Sequence, residues 1–371
     1  MKKKVGILAT PDLSKKLVNN FYDTLPDLFS KNFGANVDWE IELIKDPIIG
    51  ATKNFNDLYS NSKKYKKDNN CAYIINLTDL PMLDEKKVIA ADINKNTGTI
   101  LISVSAFGWG TIRKRIKRAI LYAINEVISL NDEIPHSSKI YFKDNLFQKN
   151  LSSIFLHRTE VYIEKTESPH IRYVIAPSFI GNFQLITGMV LANNPLNMMK
   201  SLTSSVALSF TTGAFGMIFT TMWQLSYMFS ELRLLALSCA SITAMVFWII
   251  LANQLWETSS KEKNISRLYN YTTVITLIVS VLIYYITLFI LFLVTCLTLI
   301  PPDFLGKTID LSGSANFLQY MEIAWLASSI ATVAGAVGVG LTNEQSIKQS
   351  TFGYRQQSRY ESIKKEKNNE N

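Results

Sequence analysis

The sequence predicts a chain in two parts: an α/β domain with a Rossmann-like, three-layer, largely parallel sheet, then an all-α unit of four membrane-spanning helices. Three observations predict it. Charges recur every few residues from Met1 to Lys200 but are confined to short gaps between Ser201 and Thr342. Strand-like and helix-like apolar periods alternate from Val5 to Leu130. Four later stretches are apolar over about 20 residues, which at about 1.5 Å rise crosses about 30 Å of hydrocarbon.

In the first part, Val5 to Thr10 is a short strand, and Leu17, Phe21, Leu25 and Leu28 place a helix from about Leu13 to Phe33 with a kink or break at Pro26. "VDWEIELI" alternates Val37, Trp39, Ile41 and Leu43 with Asp38, Glu40 and Glu42, the pattern of a strand wet on one face, either at an edge or covered on one side only. A polar helix over Phe55 to Asp68 leads to the apolar strand of "CAYIINLTDLPM". "VIAADINKNTGTILISVSAFG" is two runs joined by an Asn/Gly-rich turn, hence a hairpin. Thr111 to Leu130 is a helix with Ile112, Ile116, Ile120, Ala123 and Val127 on one stripe.

In the second part the expected spans are 205–224, 234–253, 271–300 and 323–341, none of which contains Asp, Glu, Lys, Arg or His. That sets a proton-coupled or ion-coupled transporter aside, since such chemistry places a charge at membrane depth. Lys261, Lys263 and Arg267 fall in one loop, and Lys348, Arg355, Arg359, Lys364, Lys365 and Lys367 follow the last span. The positive-inside rule then puts both termini in the cytosol. The fourth span carries two ladders of small residues at spacing four, Ala327, Ala331 and Gly335, and Ser328, Thr332, Ala336 and Gly340. Such ladders let helices approach closely, within one bundle or in a homo-oligomer.

The expected domains are 1–132 for the α/β domain, 133–200 for a connection and 201–342 for the spans, with a basic, disordered tail over 343–371. The connection holds two alternating runs around Ser168 and Pro169, the pattern of a hairpin, and an apolar segment over 179–193 expected to be an interfacial helix, with a re-entrant membrane segment as the alternative. Its histidines, with His136, His157 and His170 unmatched by any metal or nucleophile spacing, read as surface residues. The net charge of +8 fits lysines held next to anionic lipid better than a nucleic-acid partner, because no recognition motif accompanies it. Cys71, Cys239 and Cys296 have no metal-like spacing and read as buried thiols in a reducing compartment. The basic opening is followed by an apolar run too short for a signal-peptide core, so the first part is expected to stay in the cytosol.

Ligands of open α/β sheets bind outside the carboxyl ends of the strands. "ATPDLS", "LTDLP" and "SAFGWGT" would meet there. Asp79 would accept a hydrogen bond from a ligand hydroxyl or amine, with Thr10, Ser14, Thr78 and Thr111 as helpers. Gly108 and Gly110 would let a ligand approach the backbone before a helix amino terminus suited to an anion. The plainer alternative is that Thr78, Asp79 and Pro81 end a strand and cap the turn after it. Arg113, Lys114, Arg115, Lys117 and Arg118 crowd the first turns of the next helix, where they would hold phosphate or anionic lipid or be merely solvated. Neither a phosphate-loop motif nor an acid–base constellation is present, so a binding role ranks ahead of catalysis and no cofactor is named.

With "VGILATPDL", "INLTDLPM", "SVSAFGWG" and "ITGMVLANNPLNMM" in this order, the chain resembles a family of bacterial, mostly Gram-positive, multi-pass membrane proteins of uncharacterised activity with an N-terminal cytosolic α/β domain. The resemblance implies a place in the bacterial cell membrane. Some similar chains carry a methylenetetrahydrofolate dehydrogenase label, but that enzyme's catalytic Tyr-x-x-x-Lys and glycine-rich loop are not where the α/β domain would need them. The expected function is therefore binding of a small anionic or nucleotide-like ligand, signalled to the membrane unit. A membrane-anchored enzyme and a scaffold or assembly factor are the alternatives.

Overall fold

The structure is a computed structural model that describes residues 2–11, 13–33, 37–45, 55–84, 87–128, 156–161, 170–257, 263–339, 347–348, 351, 353–359 and 361. His136, Lys261, Gly340, Lys364, Lys365 and Lys367 lie outside the described residues, and so does most of the expected connection. The chain divides into two compact units, Met1–Ala192 with Gln356–Asn371, and Asn193–Arg355.

The first unit opens with β1 (Lys2–Ala9). The helix expected over 13–33 is two helices, α1 (Leu13–Asn19) and α2 (Leu25–Phe33), separated by a 3-10 turn at Tyr22–Thr24. The break precedes Pro26, which then sits in the first turn of α2, where its missing N–H costs nothing. There follow β2 (Asp38–Lys45), α3 (Phe55–Asp68), β3 (Tyr73–Thr78), β4 (Leu83–Asp84), β5 (Lys87–Asn94) and β6 (Thr99–Ser103). A 3-10 turn at Val104–Phe107, α4 (Ile112–Ile128), β7 (Leu156–Val161), β8 (His170–Ile175) and α5 (Ser178–Asn193) complete it.

The strand order is β2-β1-β3-β6-β5-β8-β7, with β4 paired to β5. Strands β2, β1, β3 and β6 are parallel, whereas β5, β8 and β7 each pair antiparallel. The sheet is therefore mixed rather than largely parallel. Antiparallel neighbours need only a tight turn, and Gly98 at φ 62 supplies one between β5 and β6. Strands β7 and β8 pair antiparallel, with β7 beginning before the expected run at Glu160 and the turn expected at Ser168 and Pro169 outside the described residues; the pair extends this sheet, so the unit runs well past residue 132. Strand β2 is at the edge, as its alternation indicates; Glu40 and Glu42 pair with Lys2 and Lys4, while Trp39 packs edge-on against Phe29 and Phe33.

Two adjacent residues of β8 show the layering. Arg172 points to one face and bonds Asp92, which also takes a hydrogen bond from Tyr59 of α3. Tyr173 points to the other face, where its hydroxyl meets that of Tyr122 of α4 at 3.0 Å. Helices thus cover both faces, and Leu8, Leu58, Ile74, Ile89 and Leu101 form the core on the α3 side.

The second unit contains α6 (Pro195–Ser201), α7 (Thr203–Gly216), α8 (Thr220–Met228), α9 (Glu231–Ala252), α10 (Lys263–Leu299), α11 (Pro302–Thr308) and α12 (Phe317–Val339). Among the described residues, Glu231–Ala252, Ile265–Leu299 and Phe317–Val339 are long and apolar enough to cross a membrane, as expected of a membrane-embedded protein. The first expected span, 205–224, is not one helix: α7 and α8 meet at 93°, and the pair passes the same test only together. The indole N–H of Trp223 donates to the Met217 carbonyl at 2.9 Å, satisfying an acceptor that the bend exposes. Glu231, Arg233 and Glu322 occupy the outer turns of α9 and α12, which start earlier than the apolar stretches do.

Side-chain contacts along α10 give the direction of each pass. Thr276 accepts from Asn193, Ser280 donates to the Pro195 carbonyl, Tyr284 bonds Ser209, and Cys296 lies 3.3 Å from the Met217 sulfur. Residues 193–217 therefore run alongside α10 in the same direction. Helix α9 runs oppositely, since Ser238 bonds Tyr285 and Glu257 bonds Asn270. So does α12, with Tyr320 on the Ile300 carbonyl, Ser329 on Tyr285 and the Gly335 carbonyl on Ser205. Arg355 donates to Asn193 at 2.7 Å, so the chain enters and leaves this unit at one end.

The small-residue ladders are used inside this bundle. Ala327, Ala331, Gly335, Ser328, Thr332 and Ala336 are all buried. A methyl on Gly335 would collide with the hydroxyls of Tyr284 and Ser209, so three helices meet where only hydrogen fits. Cys239, unlike Cys71 and Cys296, is exposed.

Candidate functional site

Strand β1 lies between β2 and β3, and at the carboxyl ends of β1 and β3 stand Thr10, Ser14, Thr78 and Asp79, all of them buried. Thr10 continues the ladder there, its N–H donating to the Leu77 carbonyl at 3.1 Å. Its hydroxyl donates to Ser14 at 2.8 Å, and both side chains are buried. Thr78 accepts from the N–H of Leu80 at 3.1 Å, the turn-capping role that the plainer sequence alternative gave it.

Asp79 does not face an open cleft. It is wholly buried, and its carboxylate is gripped by the guanidinium of Arg359 through two bonds, Nη1 to Oδ1 at 3.2 Å and Nη2 to Oδ2 at 3.3 Å. A planar fork of this kind is the preferred partner of a buried carboxylate, which is costly to bury unpaired. Arg359 lies in a helical stretch described over 353–359, inside the tail expected to be disordered. The segment from Gln356 belongs to the same compact unit as Asp79.

Two buried serines bond the backbone beside Asp79: Ser105, which opens the expected "SAFGWGT" segment, and Ser103, which the sequence did not single out. Ser105 donates to the Asp79 carbonyl at 2.5 Å and Ser103 to the Leu80 carbonyl at 2.9 Å. Their place in "ISVSAFG", directly after a buried run, was the available signal.

The glycine loop is only partly as expected. Gly108 and Gly110 have φ of 67° and 111°, a region that favours glycine, just before α4. Gly108, however, is closed over by Gln184 and Thr187 of α5, and Gly188 of α5 lies so close to the Ser105 backbone that a Cβ would overlap it. The apolar segment over 179–193 is thus a helix laid across this loop. Thr111 and Gly110 remain exposed.

The basic run has divided duties. Arg115 donates to the Phe107 carbonyl at 2.5 Å and Lys117 to Thr24 at 3.1 Å. Arg118 is half-buried, and Arg113 and Lys114 are exposed.

A second polar cluster went unread in the sequence. His170 is buried rather than superficial; its Nδ1 donates to Asp92 at 2.8 Å, and its Nε2 accepts from Asn94 at 3.0 Å. Tyr59 and Arg172 also bond Asp92, each at 2.5 Å, and Arg172 reaches Asp84 at 2.9 Å. Burial pushes the Asp92 carboxyl up, but the hydrogen bonds from His170, Tyr59 and Arg172 outweigh it and hold the group below its ordinary range. Burial, then the neighbouring Asp92, pushes Tyr59 well above the usual phenol. The cluster has the residue types of an acid–base site, but Asp92 and His170 are closed to solvent, so it acts as a polar clamp joining α3, β5 and β8. Its members come from three distant stretches, and no local spacing could have shown it.

Among the described residues, no group of three or more His, Cys, Asp or Glu side chains is placed to hold a metal ion. No family model, curated protein or solved structure matches the chain.

Proposed function

We propose that this chain is a membrane-embedded receptor in which the α/β unit binds a small nucleotide-like ligand at the Asp79 crevice and Arg359 is the occupant that the ligand displaces. The observation that carries this reading is the Asp79–Arg359 fork. A ribose-type hydroxyl or an amine matches a buried carboxylate, and the phosphate of such a ligand suits the glycine turn and the N–H groups at the start of α4. Arg359 follows the last apolar helix, α12, so losing its anchor would free the segment that leaves that helix. A ligand signal is thereby converted into a change at a membrane helix end.

The same reading covers topology. Residues 79 and 359 share a compartment, so the chain between them crosses the membrane an even number of times. Among the described residues three unbroken helices qualify, an odd number, which makes residues 195–216, continued by the bent α8, the fourth crossing. Arg267, Lys348 and Arg355 lie toward the end shared by entry and exit, and the positive-inside rule makes that end cytosolic.

The test is thermal unfolding of the full chain in detergent against adenosine, AMP, ATP, NAD and tetrahydrofolate, for the wild type, Asp79→Asn and Arg359→Ala. A ligand at about 100 times its Kd adds about 2.7 kcal/mol. The expected result is a hit that is strengthened in Arg359→Ala and lost in Asp79→Asn. A folded Arg359→Ala protein that responds to no member of the panel overturns the reading in favour of a scaffold.

A further inference from the structure

The first unit carries three large aromatic side chains left open by the described residues: Trp109 at 63% exposure, Phe179 at 79% and Phe183 at 63%. The segments that carry them approach one another. Phe179 and Phe183 are one turn apart on α5 and share a face. Gly108, next to Trp109, sits against Gln184, next to Phe183. On the other side of Trp109 the chain enters α4, whose first exposed cations are Arg113 and Lys114. Neighbouring Arg115 is already bound to the Phe107 carbonyl, which fixes the turn that presents Trp109.

On the opposite face of α5, where Leu185 and Met189 are also buried, Gly181 against Ile175 and Val88 and Gly188 against the Ser105 backbone hold that helix to its own unit. Phe179 and Phe183 are therefore displayed by a helix already fully packed on its other side. An aromatic cluster rimmed by cations is the composition that partitions into the headgroup layer of an anionic bilayer: rings enter the interface, and Lys and Arg meet the phosphates. Chain continuity supplies the second argument. At Asn193 helix α5 passes into the unit of apolar helices, where that residue bonds Thr276 of α10.

We infer that Trp109, Phe179, Phe183, Arg113 and Lys114 form a bilayer-docking surface through which the α/β unit rests on anionic lipid headgroups. This inference rests on the membrane embedding proposed above, and its test separates the two. It would also give the ligand crevice a membrane-side wall, since the same loop carries Ser105 and Gly108.

The experiment uses the full chain in nanodiscs of phosphatidylcholine and phosphatidylglycerol whose acyl chains are brominated near the headgroup. Emission of the Trp109→Phe variant is subtracted from that of the wild type to isolate Trp109. Quenching of the remaining tryptophans, among them Trp248 at 45% exposure on α9, reports embedding by itself. Trp109 is expected to lose most of its intensity with phosphatidylglycerol present, and to regain it in pure phosphatidylcholine or in an Arg113→Gln, Lys114→Gln variant. If the remaining tryptophans are quenched and Trp109 is not, docking is overturned while embedding stands. If Trp109 is quenched regardless of lipid charge and of Arg113 and Lys114, the anionic-headgroup assignment is overturned. If no tryptophan is quenched, the embedding reading itself falls and docking falls with it.

Discussion

Arg359 closes on Asp79 across 280 residues of sequence and meets both carboxylate oxygens. The side chain of Asp79 is 1% exposed and that of Arg359 12%, so water does little to screen the pair. A buried pair of this kind is worth little compared with two well-packed apolar residues, yet removing one member strands the other.

A double-mutant cycle should show that asymmetry. Arg359→Ala is expected to cost about 3 kcal/mol, because Asp79 is left buried without its counter-ion. Asp79→Ala together with Arg359→Ala should cost less than the sum of the single changes by about 2 kcal/mol. Pulse proteolysis of the solubilised chain measures both, and additive losses would show that the fork is not a coupled pair.

The clamp around Asp92 sets a pH dependence with a known sign. The folded-state carboxyl is held below its unfolded value, so its contribution is complete above about pH 4 and is lost as pH falls through the folded value. The folded-state Tyr59 is raised, so its contribution is present below about pH 10 and is lost as pH rises beyond that. The facing groups are Tyr59 from α3, Asp84 from β4, Asp92 and Asn94 from β5, and His170 and Arg172 from β8. Asp92→Asn is expected to flatten the acid limb of a stability–pH profile and Tyr59→Phe the alkaline limb. An unchanged acid limb in Asp92→Asn would assign it to other carboxyls.

Gly335 marks the tightest crossing of the apolar unit. Gly335→Val should destabilise that unit by about 2 kcal/mol, because the new methyls must displace Tyr284 and Ser209 from α12. Tyr284→Phe removes the hydroxyl that bonds Ser209 and should cost about 0.6 kcal/mol. Combining Gly335→Val with Tyr284→Phe should recover part of the loss, as the nearest obstruction goes. Unfolding in mixed micelles reads all three.

Compartment parity is open to direct labelling. Single cysteines at Asn20 and Gln357 should react with an impermeant maleimide from the same side of a sealed vesicle, and one at Ser312 from the other. Reaction of Asn20→Cys and Gln357→Cys from opposite sides would mean that residues 195–216 do not cross.

The range of each interaction decided how legible it was in sequence. Strands β1, β3, β5 and β6 and helices α3 and α4 were readable because their apolar periods are local. The turn chemistry at Gly98 and the edge position of β2 were readable for the same reason. The break before Pro26 fell near where the proline placed it. The bend at Met217–Phe219 was not read, because composition stays apolar through it, although Gly213 and Gly216 stand just before it. Strands β7 and β8 were visible as a hairpin, but their union with β5 depends on Asp92 meeting Arg172 across the sheet. The pairing of Asp79 with Arg359 was not readable, since Arg359 sits in a charged stretch indistinguishable from a solvated tail.

By itself the sequence determined that the chain has a charged α/β part and an apolar helical part, which residues could cross a bilayer, and which strand ends carry hydroxyls and a carboxylate. These come from hydrophobic period and turn residues, which act over a few positions. Tertiary structure alone decided that the sheet is mixed, that His170 is interior, that the small ladder of α12 packs against its own bundle, and that Asp79 holds Arg359. Each of these depends on which distant side chain satisfies a buried polar group or fills the space beside a glycine, and burial creates that demand only once the chain has folded.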